Sequence, residues 1–213
     1  DLKEFNYLEI KKQLPENVNL LAVSKGFLSE DIENIYRLGQ NDFGESKVQE
    51  ALTKSIFIRN TKDLKLHFIG RIQSNKIRKI VKHFDFIHSV DSYQKLLKIS
   101  TVANEIKKTP KLMIQVKLAN DPDKGGLFHQ ELINKWDQIQ QIQGIEIIGL
   151  MTINPKGLSS RQNLRLFKEC RLIADSLKLK ECSMGMSQDW EEAVEAGSTW
   201  IRLGSLIFGK RFN

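Results

Sequence analysis

Short apolar runs recur along this chain at a regular beat, with helical patterns filling the gaps. The runs are residues 20–24 (LLAVS), 41–44 (NDFG), 66–70 (LHFIG), 84–90 (FDFIHSV), 111–117 (KLMIQVK), 145–151 (IEIIGLM), 181–184 (ECSM) and 199–203 (TWIRL). Short apolar runs without helical spacing read as strands buried on both faces. Helical patterns occupy 29–38, 92–103, 129–142, 160–177 and 187–196. The first is expected to open on Ser29 as its N-cap, with acids in its first turn and Gly39 beyond its end. The last is expected to stop at Gly197. Strand–helix alternation in an undivided chain predicts a parallel α/β fold. Eight such units favour a closed (β/α)8 TIM barrel. An open doubly wound sheet is the second reading, and no GxGxxG follows the first strand to support its dinucleotide-binding form. Residues 1–14 are expected to form an extra N-terminal helix, and residues 1–213 a single domain.

Composition narrows the class. No apolar stretch approaches the ~20 residues of a membrane span, and the N-terminal residues mix charge with apolar groups, unlike a signal peptide. A chain that begins at Asp1 is expected to lack an initiator methionine. Cys170 and Cys182 stand in no metal-like spacing, so reduced thiols in a cytoplasmic protein are expected. The net charge of +7 is spread along the chain, with no basic arm and no aromatic–basic platform. That distribution reads as a solvated surface compatible with an anionic metabolite, and argues against nucleic acid.

A barrel places its chemistry at the C-terminal ends of its strands. Lys25 ends the first apolar run. It is either a solvated strand end or an amine in a pocket, where desolvation favours the neutral nucleophile. Phosphate in barrels is often held by the loops after strands seven and eight. Here those loops carry Ser183, Gly185 and Ser187, then Gly204 and Ser205 before a last short helix at 206–208. Glycine lets backbone N–H groups approach an anion, and serine adds donors. On the eighth strand, alternation sends Trp200, Arg202 and Gly204 to one face and Ile201 and Leu203 to the other. Arg202 would then enter the barrel mouth, satisfied by an anion, by a heterocyclic nitrogen or by an internal salt bridge to an acid such as Glu45. A strand-end lysine opposite a phosphate site suits pyridoxal 5′-phosphate (PLP), and a class I aldolase is the competing use of such a lysine. His67 and His88 either line the pocket or sit satisfied in the core, and the four histidines share no metal-ligand spacing.

Motifs at 21–25 (LAVSK), 42–45 (DFGE), 48–50 (VQE), 67–70 (HFIG), 73–76 (QSNK), 88–91 (HSVD), 149–151 (GLM), 183–187 (SMGMS) and 202–209 (RLGSLIFG) together resemble the pyridoxal phosphate homeostasis protein family. The resemblance implies a barrel like the N-terminal domain of alanine racemase, with PLP held as a Schiff base on Lys25. It implies cofactor contacts at Lys25, Ser183, Met184, Arg202, Gly204 and Ser205, with phosphate contacts at Ser183, Gly204 and Ser205; Ser46, His67 and Met151, at the ends of their strands, are expected to complete the shell. It also implies a role in PLP homeostasis and amino-acid and keto-acid balance without an established reaction. Where the family commonly has Gly-Glu-Asn-Tyr, this chain has Gly44, Glu45, Ser46 and Lys47. Lys47 is then either surface charge or a second acceptor of the cofactor.

Three functions compete. The first is a PLP carrier or regulator without turnover, with PLP-dependent apo-enzymes as acceptors and a monomeric state. The second is a racemase-like PLP enzyme. The third is a binding module that signals PLP occupancy to a protein partner. Racemisation needs acid–base groups on both faces of a carbanion. The resemblance to alanine racemase implies a partner tyrosine from a second, β-rich domain; no such domain is expected here, and Tyr7, Tyr36 and Tyr93 lie in predicted helices. No catalytic residue and no metal ligand is therefore expected.

Overall fold

A computed structural model of the chain describes residues 1–59 and 61–211. Its strands are β1 (Asn19–Val23), β2 (Asp42–Glu45), β3 (Lys65–Phe68), β4 (Phe86–Val90), β5 (Lys111–Lys117), β6 (Leu127–Phe128), β7 (Glu146–Met151), β8 (Glu181–Ser183) and β9 (Trp200–Leu203). The helices are α1 (Leu2–Gln13), α2 (Ser29–Arg37), α3 (Val48–Thr53), α4 (Ser55–Ile58), α5 (Ile77–His83), α6 (Tyr93–Ile106), α7 (His129–Gln140), α8 (Ser160–Ser176), α9 (Trp190–Ala196) and α10 (Ser205–Phe208). β1 pairs with both β2 and β9, and β4 pairs with both β3 and β5, all in parallel. The ring β1-β2-β3-β4-β5-β7-β8-β9 is therefore closed, and β6 only adds two residues to the C-terminal end of β5. The extra N-terminal helix is present as α1.

Closure explains the apolar runs. Leu21, Met113, Met151 and Trp200 fill the barrel, while Leu20, Ala22, Phe43, Ile87, Leu150, Ile201 and Leu203 face the helices. With a two-residue side-chain period, a strand covered on both faces must be apolar at nearly every position. Each buried Leu or Ile contributes about 1.5–3 kcal/mol relative to an exposed one, so both layers are needed to hold the ring. The predicted faces of the last strand are observed, with Trp200 inside and Ile201 and Leu203 outside.

The helices differ from the sequence reading in instructive places. Helices α3, α4 and α5 were not anticipated; they span 6, 4 and 7 residues, too short for a 3.6-residue period to stand out. Ser29 is not a cap: Leu28 holds the N-cap position without a side-chain bond, and Ser29 lies in the first turn. The helix expected from residue 187 begins at Trp190. The residues before it stay in a loop because the Met186 N–H donates to Asp189 Oδ1 at 2.7 Å and the Asp189 N–H to the Met186 carbonyl at 3.1 Å. Gly197 ends α9 in the left-handed region (φ 104°), as expected of a glycine stop. A Cβ on Gly70 would lie 2.1 Å from the Ser46 carbonyl oxygen. Glycine there lets the loop after β2 close over the end of β3 at the barrel mouth.

Candidate functional site

Lys25 lies two residues past β1, in phase with the inward-facing Leu21. It is half-buried, and among the described residues its ammonium has no hydrogen-bond or ion-pair partner. Burial, and next the positive charge of Arg211, push this amine below its ordinary value, while Glu50 and Glu45 pull the other way. The neutral, nucleophilic form is correspondingly more accessible.

A brace holds the backbone on both sides of this lysine. Lys54 Nζ donates to the Ser24 carbonyl at 2.7 Å and is ion-paired with Glu45. Glu50, one turn before Lys54, accepts from the Gly26 N–H at 2.9 Å. Glu45 is fully buried, and its second oxygen has no partner among the described residues. Burial pushes the Glu45 carboxyl up to about 7 against the pull of Lys54. The acid considered above as a partner for Arg202 is therefore the counter-ion of Lys54. The i,i+4 relation of Glu50 and Lys54 was readable in the sequence, but the burial of Lys54 was not.

Arg202 enters the barrel interior, where it is 4 % exposed. Its guanidinium donates to Ser183 Oγ at 2.6 Å and to the Thr152 carbonyl at 3.2 Å, both neutral acceptors. Burial lowers its pKa to about 10, with the Asp189 charge acting in the opposite direction, so it stays cationic at neutral pH. A buried cation without an anion beside it is costly. An anionic or strongly accepting ligand group at the mouth would offset that cost.

The other predicted residues divide by location. Ser205 is exposed at the rim, where its hydroxyl meets Ser187 Oγ at 3.1 Å. Gly204 precedes α10, and a Cβ there would lie 3.1 Å from the Val23 carbonyl oxygen, so glycine keeps this turn close to β1. The first N–H groups of a helix have no partner within it, which leaves donors beside the two serines. Ser46 is half-buried at the rim and Lys47 is exposed. Met151 packs inside the barrel with Leu21, Met113 and Trp200, beneath the mouth.

Three residues expected in the cofactor shell lie inside the barrel or between its layers. Ser183 is fully buried, and its oxygen lies between Arg202 and His88 Nδ1, 2.8 Å from the latter, away from the rim. Ser187 is the serine beside Ser205; alternation along β8 turns Ser183 inward, and only the loop beyond brings a serine to the rim. Met184 packs in the layer between barrel and helices, and its N–H donates to the Trp200 carbonyl at 3.0 Å. His67 is the satisfied core histidine of the two readings: Nε2 meets Asp42 Oδ1 and Nδ1 meets His88 Nε2, each at 2.8 Å. Burial lowers the pKa of both rings, that of His88 well below the usual value, so both are neutral.

The mouth thus gathers an amine without a partner among the described residues, a buried cation and a rim of hydroxyl and backbone donors. That set suits a ligand with an electrophilic carbonyl, an acceptor and a phosphate. A separate cavity of about 480 Å³, lined in part by Phe86, Lys111, Glu146 and Trp200, gathers no comparable set. Among the described residues, no group of three or more His, Cys, Asp or Glu could hold a metal ion, and no helix is long and apolar enough to cross a membrane.

Comparison with known proteins bears on the same features. The alanine racemase N-terminal domain family matches residues 3–211. A pyridoxal phosphate homeostasis protein of Synechocystis sp. is 44% identical over 211 residues, covering 96% of this chain and 97% of the relative. PipY of Synechococcus elongatus, in a structure with PLP bound, superposes with a TM-score of 0.93 at 41% identity, over 98% of this chain and 100% of that one. An alanine racemase of Clostridium difficile shares the fold, with a TM-score of 0.83 at 14% identity, over 99% of this chain and 57% of that enzyme.

Proposed function

Because this chain belongs to the alanine racemase N-terminal domain family, alongside the pyridoxal phosphate homeostasis proteins, we propose that it binds PLP through Lys25 and serves PLP supply without turnover of its own. The observation that carries this reading is Arg202: a buried guanidinium bonded, among the described residues, only to neutral acceptors, in a barrel whose mouth also presents an amine without a partner among them. When bound, PLP supplies an aldehyde that condenses with an amine and a ring that draws electrons. Lys25 would hold the aldehyde carbon, kept in place by the Lys54 and Glu50 brace. Arg202 would face the ring nitrogen. Ser205, Ser187 and the N–H groups around Gly204 would grip the phosphate, with Ser46 at the rim and Met151 under the floor.

A carrier role is supported by the relatives, which are pyridoxal phosphate homeostasis proteins, and by the tyrosines. Tyr7, Tyr36 and Tyr93 all pack in or against the layer between helices and barrel. None of them is a second acid–base group opposite Lys25, which racemisation needs. PLP-dependent apo-enzymes are then the acceptors. The protein acts as a monomer in the cytoplasm, where the buried Cys170 and Cys182 remain thiols.

Two measurements test the reading. Borohydride reduction of the PLP-loaded protein should place the label on Lys25, and a label on Lys47 or Lys54 would overturn the assignment. Incubation of the loaded protein with amino acids in deuterated water should leave the α-proton in place. Catalytic exchange there would make it an enzyme.

A further inference from the structure

Five polar side chains cross the barrel interior in one unbroken line. Asp42 Oδ1 lies 2.8 Å from His67 Nε2, His67 Nδ1 2.8 Å from His88 Nε2, and His88 Nδ1 2.8 Å from Ser183 Oγ. Ser183 Oγ in turn accepts from Arg202 at 2.6 Å. The five residues come from β2, β3, β4, β8 and β9. Asp42 opens β2, with 29% of its side chain exposed, at the end of the barrel opposite Lys25. The middle of the line is dry: the His67 ring stacks on Phe86 at 4.1 Å and meets Trp200 at 4.9 Å.

The two ends dictate a direction. A carboxylate only accepts hydrogen bonds, and a guanidinium only donates them. With neutral rings, His67 must carry its hydrogen on Nε2 to serve Asp42, which leaves Nδ1 to accept. His88 must then carry its hydrogen on Nε2, and its Nδ1 accepts from the Ser183 hydroxyl. The Ser183 oxygen is thereby left to receive the guanidinium N–H. Every hydrogen in the line points from Arg202 toward Asp42. Aligned bonds polarise one another in a low dielectric, so the partial negative charge presented to Arg202 is reinforced along the line.

We propose that Asp42, His67, His88 and Ser183 are positioning residues, forming a directional relay that sets a carboxylate at the far end of the barrel against Arg202 and holds its guanidinium as a donor at the cofactor site. This rests on the reading of Arg202 as the partner of the bound ring. The relay also leaves Ser183 without a hydrogen to give a ligand. Reversing one histidine tautomer would free that hydrogen and place a ring N–H against the serine oxygen.

Histidine tautomers give a readout that simple packing would not require. Long-range proton–nitrogen spectra of the ligand-free full chain, labelled with nitrogen-15, should show His67 and His88 as neutral Nε2–H tautomers at neutral pH. A neutral Nδ1–H ring or a charged ring at either position overturns the relay, and this arm needs no variant. Asp42→Asn keeps an acceptor oxygen and should preserve both tautomers. Asp42→Ala removes it and should abolish the preference at His67 and, one ring further, at His88. A pure Nε2–H His88 in Asp42→Ala would sink the proposed coupling. Borohydride capture on Lys25 is measured on the same preparations after loading with PLP. Expected tautomers without capture keep the relay and remove the cofactor reading, whereas capture with wrong tautomers removes the relay alone.

Discussion

Replacing Lys54 with methionine tests the brace that holds Lys25. The change removes the 2.7 Å bond to the Ser24 carbonyl and the cation paired with Glu45. Breaking a buried ion pair by removing one partner costs about 3–5 kcal/mol, because the other charge is left in a low dielectric. Glu45 has a partial escape. Its carboxyl already sits at about 7 with Lys54 pulling it down. Without that cation it takes up a proton near neutrality, which moves the expected loss to about 3 kcal/mol, the lower end of that range. The loss should grow as pH rises further, because holding the proton becomes harder. In a chain of 213 residues, that loss lowers the melting midpoint by roughly 6–12 °C. Urea unfolding at fixed pH reads it as a lower midpoint at constant slope. Adding Glu45→Met should recover most of the loss, since two apolar groups of similar volume replace an ion pair at little cost. The double-mutant cycle isolates the coupling. A loss under about 1 kcal/mol for Lys54→Met, against the range for a broken buried pair, would refute the argument. So would a double variant no more stable than the single.

Two further outcomes follow from the same site. The ordinary Glu45 value of 4.5 is raised to about 7 on folding, so between these values the folded state binds more protons than the unfolded state. Stability from this group therefore falls as pH rises through that window, by about 3 kcal/mol relative to Glu45→Gln; urea midpoints of both proteins across the window check the sign, and parallel curves would count against it. Ser187→Ala combined with Ser205→Ala should weaken PLP binding about a hundredfold, since each of two hydrogen bonds to a charged group contributes about 1.5 kcal/mol or more. Unchanged affinity by equilibrium titration would remove the rim serines as the phosphate anchor.

Much of the barrel was legible because a strand covered on both faces leaves a continuous apolar signature. The run at 111–117 matches β5 residue for residue, the other seven strands of the ring shift by one or two positions at their ends, and the two-residue β6 was not anticipated. The inward phase of Arg202 followed from alternation alone. The short helices after β2 and β3 left no periodic trace, and one of them, α3, carries Glu50 just upstream of Lys54, the two residues that flank Lys25 with hydrogen bonds. Serine chemistry was legible as a type but not as a place: Ser183 and Ser187 are four residues apart, yet one lies in the core and the other at the rim.

The chain by itself therefore determined the alternating units, the closed barrel they favour, the faces of the strands and the amine at the end of the first one. These depend on local period and on the cost of burying charge, both of which are written in the order of residues. Only the tertiary structure decided which polar groups meet. His67 and His88 are 21 residues apart, and His88 and Ser183 are 95, yet each pair is in hydrogen-bond contact inside the barrel. Barrel closure creates those contacts, and with them the direction of every hydrogen between Asp42 and Arg202. No sequence period encodes them, because they arise where separate strands converge on one dry interior.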